Sequence, residues 1–190
     1  MSAIARQLGP RSRVLALAAM ALAACRADAP PPPDSAPPPA PAPESAWTVS
    51  AAGYGPIRVG WTIAQLDAAL NESVRPAYQA SEECDYVHPA RLPGRVNLMV
   101  VKDTVVRIDV DTTGVLTEQG AGVGDSEQRI SELYGRVTVQ FHKYRPEGRN
   151  LIVTDPADSM LRIIFETDSG RVVRYRAGRR PPVDYVEGCS

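Results

Sequence analysis

The chain has 190 residues, 44% of them hydrophobic and 23% charged, with a formal net charge of −1. That balance suits a globular fold and gives no support to nucleic acid or anionic lipid as the main partner. The charge is uneven. Residues 1–13 carry Arg6, Arg11 and Arg13 with no acidic side chain, and 14–24 is an almost unbroken run of Ala, Leu, Val and Met. A basic start and a short apolar stretch make 1–24 an export signal, too short to span a bilayer comfortably. Its removal leaves 18 basic against 22 acidic side chains, a net charge of −4.

The signal ends in Leu22-Ala23-Ala24-Cys25, which resembles the lipobox of bacterial lipoproteins. The resemblance implies that Cys25 is acylated and becomes the mature N-terminus. Arg26, standing where an aspartate would imply inner-membrane retention, favours the outer membrane facing the periplasm. The alternative is an ordinary secretory signal with an incidental cysteine. Residues 25–46 then read as a lipidated cysteine and a tether, with Pro30 to Pro33, Pro37 to Pro39, Pro41 and Pro43 set among Ala, Ser, Asp and Glu. Proline fixes φ and removes donors, so this stretch is a semi-rigid spacer reaching at most roughly 65 Å.

With Cys25 lipidated, Cys84 and Cys189 remain. An even pair in an exported, oxidising setting points to a disulfide; two buried free thiols or a metal pair are the alternatives.

The folded domain is expected over 47–190. A short strand at 57–59 precedes a helix at 63–70. Strands follow at 83–88, 95–101 and 104–111, the last alternating Val106, Ile108 and Val110 with Arg107, Asp109 and Asp111. That period of two marks a half-buried strand, and Lys102-Asp103 closes a hairpin. A second helix at 127–134 leads to strands at 137–141, 150–154, 161–166 and 171–177, with Asp168-Ser169-Gly170 as the last turn.

Val59-Gly60-Trp61-Thr62 returns 64 positions later as Val123-Gly124-Asp125-Ser126. Thr62 and Ser126 fall in register as helix N-caps. Gln65 completes a capping box with Thr62, and Asp125 with Gln128 offers the same spacing one residue earlier. Leu66, Ala69 and Leu70 match Ile130, Leu133 and Tyr134 as apolar stripes, and Asn71 matches Gly135 as a left-handed C-cap. The pattern predicts an α+β domain of two repeats, about 54–115 and 116–190. Both would contribute to one antiparallel sheet, with short helices on one face and the other face open.

The Gly-Trp-Thr and Gly-Asp-Ser helix starts resemble those of BamE-like (SmpA/OmlA) lipoproteins and of tandem β-lactamase-inhibitor-protein-like repeats. The resemblance implies a module that binds proteins through its sheet or loops.

Chemistry is sparse. His88 and His142 are the two histidines, and Cys84-x-x-x-His88 lacks a second ligand pair, so no catalytic residue, metal or cofactor is assigned. Arg171, Arg174, Arg176, Arg179 and Arg180 form a basic cluster. Its members either pair with Asp109 and Asp111 across strands or make an anionic docking patch. Trp61 is a core plug or an interface anchor, and Tyr78, Tyr86, Tyr144 and Tyr185 are further interface candidates. The expected function is non-enzymatic binding of an envelope protein. An inhibitor of a secreted or periplasmic hydrolase is the first alternative, and a small-ligand carrier or enzyme the second.

Overall fold

The structure, a computed structural model, describes residues 47–76 and 83–189. The expected export signal, the expected lipidation at Cys25, the expected tether and Tyr78 lie outside the described residues. In chain order the elements are β1 (Val49–Ser50), β2 (Gly53–Tyr54), β3 (Ile57–Arg58), α1 (Ile63–Leu70), β4 (Cys84–Val87), β5 (Val96–Val101) and β6 (Thr104–Val110). They continue with α2 (Glu127–Tyr134), β7 (Thr138–Phe141), β8 (Arg149–Thr154), β9 (Leu161–Asp168), β10 (Arg171–Arg179) and a 3-10 turn (Pro182–Asp184).

The fold is α+β, with mostly antiparallel strands in two sheets. The expectation of one sheet is corrected here. Seven strands pair in the order β4-β5-β6-β10-β9-β8-β7, while β1-β2-β3 form a small sheet of their own. The chain reverses twice around Gly53 and Gly55, which leaves strands too short to join the long ladder. A Cβ on Gly53 would lie 2.1 Å from the Ile57 carbonyl oxygen, so the tight reversal requires glycine.

Both helices occupy the predicted residues. Thr62 Oγ1 accepts from the Gln65 amide at 3.3 Å and Gln65 Oε1 from the Thr62 amide at 2.9 Å, the capping box. Ser126 Oγ caps the Arg129 amide at 3.1 Å. No box joins Asp125 to Gln128. Asp125 Oδ2 instead accepts from the Gly122 amide at 2.8 Å, tightening the preceding turn, and Gln128 donates to Glu132. Asn71 is left-handed, whereas Gly135 combines φ 67° with ψ −58°, outside the left-handed helical region.

Each helix start is clamped to a hairpin. Gly60 N donates to Val105 O at 2.7 Å, Val105 N to Trp61 O at 2.8 Å and Ile63 N to Asp103 O at 3.1 Å. At the second helix Gly124 N donates to Val172 O at 2.9 Å, Val172 N to Asp125 O at 2.9 Å and Glu127 N to Gly170 O at 3.1 Å.

Side chains alternate between the faces of the long sheet. Leu98, Ile108, Tyr175, Phe165 and Leu151 line one face and form a single apolar core with Leu66 and Leu70 of α1, Ile130 of α2 and Val49, Tyr54 and Ile57 of the small sheet. The opposite face carries Arg107, Arg176, Glu166, Ile164 and Ile152 by register. It is not open, contrary to expectation. The segment after β10 crosses it, with Val183 buried against Ile152 and Ile164 and Cys189 bonded to Cys84 of β4.

Candidate functional site

The tail-covered face holds a buried ionic network. Arg107 donates through Nε to Asp109 at 3.0 and 2.9 Å, through Nη1 to the carbonyls of Pro182 (2.9 Å) and Tyr185 (2.8 Å), and through Nη2 to Tyr86 Oη at 2.9 Å. Arg176 donates through Nε to the Val183 carbonyl at 2.6 Å and through Nη1 to Glu166. Two guanidinium groups from the adjoining strands β6 and β10 thus satisfy three tail carbonyls that the sheet would otherwise leave buried and unpaired.

Glu166 is 1% exposed. Besides Arg176 it accepts from Arg174 Nε at 2.7 Å and from His142 Nε2 at 3.1 Å. His142 Nδ1 accepts from the Tyr144 amide at 3.1 Å, so the proton facing Glu166 is on Nε2. Burial pushes the Glu166 carboxyl up, but the charges of Arg176 and Arg174 and the hydrogen bonds from Arg174 and His142 outweigh it and hold the group below the usual carboxylate range. Burial, reinforced by Asp109, pushes Tyr86 up to about 12. Between this face and the tail lies a cleft of about 490 Å³, lined in part by His88, Asp109, Arg174 and Glu187. Its charges are largely paired already: Arg107 with Asp109 and Arg174 with Glu166 within the lining, and Glu187 with Lys143 beyond it at 3.0 Å. Among the described residues no group of three His, Cys, Asp or Glu is placed to hold a metal ion.

The basic cluster is therefore dispersed. Arg176, 3% exposed, is a core residue and not a surface one, because Glu166 and the tail bury it. Asp109 and Asp111, its expected partners and those of Arg174, are taken by Arg107 and Arg95. Arg179 pairs with Asp158 at 3.2 Å and Arg180 with Asp184 at 2.8 Å, both exposed. Arg171 Nη1 donates to the Gly124 carbonyl at 3.0 Å. Trp61 is half-buried and stands outside the core cluster. Tyr86 is half-buried in the Arg107 network, its ring against Gly188, where a Cβ would lie 2.6 Å from Tyr86 Oη. His88 Nδ1 bonds the Val96 carbonyl at 2.7 Å, remote in role from His142.

The surface least accounted for is β7, which ends the long sheet. All four of its residues are exposed; Val139 is 55% and Phe141 85% exposed, and Tyr144 in the following turn is 55% exposed. His142 N donates to Gly148 O at 3.0 Å. Continuing that ladder along the pairing of Gln140 with Asn150 and Thr138 with Ile152 turns the amides and carbonyls of Val139 and Phe141 away from β8. Nothing among the described residues pairs with them. Beside this strand, on the tail-covered face, is a depression of about 330 Å³ whose lining includes Gln140, Phe141, Lys143, Arg162, Arg180 and Asp184. Asn150 Oδ1 and Arg162 Nε, which also border it, are buried with no hydrogen-bond partner. Sequence reading flagged Tyr144 but missed Val139 and Phe141, because alternation cannot tell an inner strand from an outer one.

No family model, no curated protein and no solved structure matches the chain.

Proposed function

We propose that this is a non-enzymatic lipoprotein of the cell envelope, anchored through Cys25 to the outer membrane and presenting a protein-binding domain to the periplasm. The exposed β7 edge carries this reading. Natural sheets protect their edges with charge, proline, bulges or a covering segment, and β7 reads Thr-Val-Gln-Phe with none of the first three. Large exposed aromatic side chains beside unpaired backbone groups are the features by which a sheet edge receives a partner strand.

We infer that the domain arose by duplication of a helix-and-hairpin unit, the architecture of the BamE-like and tandem inhibitor-like modules. The clamps at Gly60/Val105 and Gly124/Val172 support it, since the same three bonds recur at sequence offsets of 64 and 67. Each half then contributes its last strand, β6 or β10, to the centre of the sheet, and β7 is an addition outside the symmetric set. Inhibition of a periplasmic hydrolase is the second reading, favoured by Tyr144, which projects from the β7–β8 turn with Lys143 4.8 Å above its ring.

Site-specific photo-cross-linking in intact cells tests the function. A photoreactive residue at Phe141 should give a defined adduct with an envelope protein, and one at Gln128 on the exposed side of α2 should not. Cys25→Ser should release the protein from membranes and abolish the adduct. Equal labelling from both positions, or none from Phe141, refutes the reading. A hydrolase in the adduct, inhibited by the pure protein, selects the second reading.

A further inference from the structure

Resting on the protein-binding reading, we propose that β7 receives an extended, acidic segment of its partner as an eighth strand of the long sheet, with carboxylates alternating with apolar side chains. Backbone geometry supplies the first half of the argument. Val139 and Phe141 together present two N–H donors and two carbonyl acceptors outward, the set that one added strand would satisfy. An added strand places its side chains alternately on the two faces of the sheet. On the core side they would meet the exposed side chains of Val139 and Phe141, which favours apolar residues there.

Charge supplies the second half. On the tail-covered side the added side chains would lie over Gln140, beside the depression bordered by Lys143, Arg162 and Arg180, where Asp184 answers both arginines and Glu187 answers Lys143. Arg162 Nε has no acceptor there. Outside the strand, Arg136 and Lys143 stand exposed at its two ends. A second copy of this chain would bring all of these cations to the same seam twice over, where like charges repel. A basic strand would meet the same repulsion. An acidic strand neutralises the excess.

The test uses the Cys25→Ser chain and two labelled eight-residue probes, one alternating Val and Glu and one alternating Val and Lys, followed by fluorescence polarisation. At low salt the Val–Glu probe should bind roughly tenfold more tightly than the Val–Lys probe, the size expected of a few exposed ion pairs, and high salt should erase the difference. Val139→Pro removes an outward N–H without touching the ladder to β8, so binding of both probes should be lost while the melting curve is kept. Arg136→Glu with Lys143→Glu should reverse the preference. Amide hydrogen exchange gives a readout independent of any variant: the amides of Val139 and Phe141 should gain protection when the Val–Glu probe is added.

Undiminished binding to a folded Val139→Pro chain, without protection of those amides, overturns strand addition. Equal binding of the two probes, both lost in Val139→Pro, overturns the acidic preference and leaves edge binding standing. Failure of the Val–Glu probe to bind overturns the proposal, and the Phe141 cross-link then decides separately whether the protein-binding reading survives.

Discussion

Replacing Glu166 by Gln removes one negative charge from a site that is 1% exposed and keeps the side chain's shape. Arg176 is left 3% exposed with its charge uncompensated, and breaking a buried pair from one side costs about 3–5 kcal/mol. Gln can still accept one bond from Arg176, which argues for the lower half of that range. Arg174, whose side chain is 40% exposed, can turn to water and adds little. The weakened His142 bond adds about 0.5–1 kcal/mol. The expected loss is therefore about 3.5–5 kcal/mol, or roughly 10–15 °C in melting temperature for a domain of this size. Urea unfolding of the oxidised Cys25→Ser chain, followed by tryptophan fluorescence, measures it. Arg176→Met and the double variant complete a cycle, and the double should be less destabilised than the singles summed by about 2 kcal/mol. Additivity within about 0.5 kcal/mol would show that the buried pair is not coupled and refute the reasoning.

The same carboxylate sets an acid dependence. Its folded pKa lies below its unfolded one, so its contribution is complete above the unfolded value of about 4.3 and is lost as pH falls through the folded value. The stability gap between the parent and Glu166→Gln should be full at about pH 6 and shrink below about pH 4; a gap that widens on acidification contradicts the assignment. Cys189→Ser opens a link spanning a sequence separation of 105 and should cost up to about 4–5 kcal/mol in the chain-entropy account, read by urea midpoint. Non-reducing peptide mapping should find Cys84 joined to Cys189, and alkylation of both in untreated protein would exclude the link. Gly178→Ala places a Cβ 2.3 Å from the Val106 carbonyl oxygen at the β6–β10 seam. It should destabilise by about 2–4 kcal/mol in a thermal melt, and an unchanged melt would disprove the close approach.

The sequence by itself determined what local chemistry decides. Thr62, Gln65 and Ser126 start helices because their side chains reach amides within one turn. The alternation of Ile108 and Val110 with Arg107 and Asp109 marked a strand at 104–110, although the tail buries its polar face at Arg107 and Val105 enters the core in place of Val106, and Lys102-Asp103 and Ser169-Gly170 turned the hairpins at positive φ. The pairing of Cys84 with Cys189 matches the expectation that took Cys25 as lipidated and the chain as exported. Only the tertiary structure decided which strands lie inside the sheet and which at its edge, and it is this that makes β7 a candidate site and Val139 and Phe141 exposed. It also decided that Arg176 is buried while Arg179 and Arg180 remain exposed, although all three stand within five residues of one another. A Cys84–Cys189 bridge implied that residues 186–189 are pinned beside β4, but the path of 182–185 across the polar face was invisible, because their carbonyls carry no side-chain signature. Caps and turns are settled by neighbours in sequence. The burial of a charge depends on a carboxylate and a peptide segment brought from elsewhere in the chain, and only the fold brings them together.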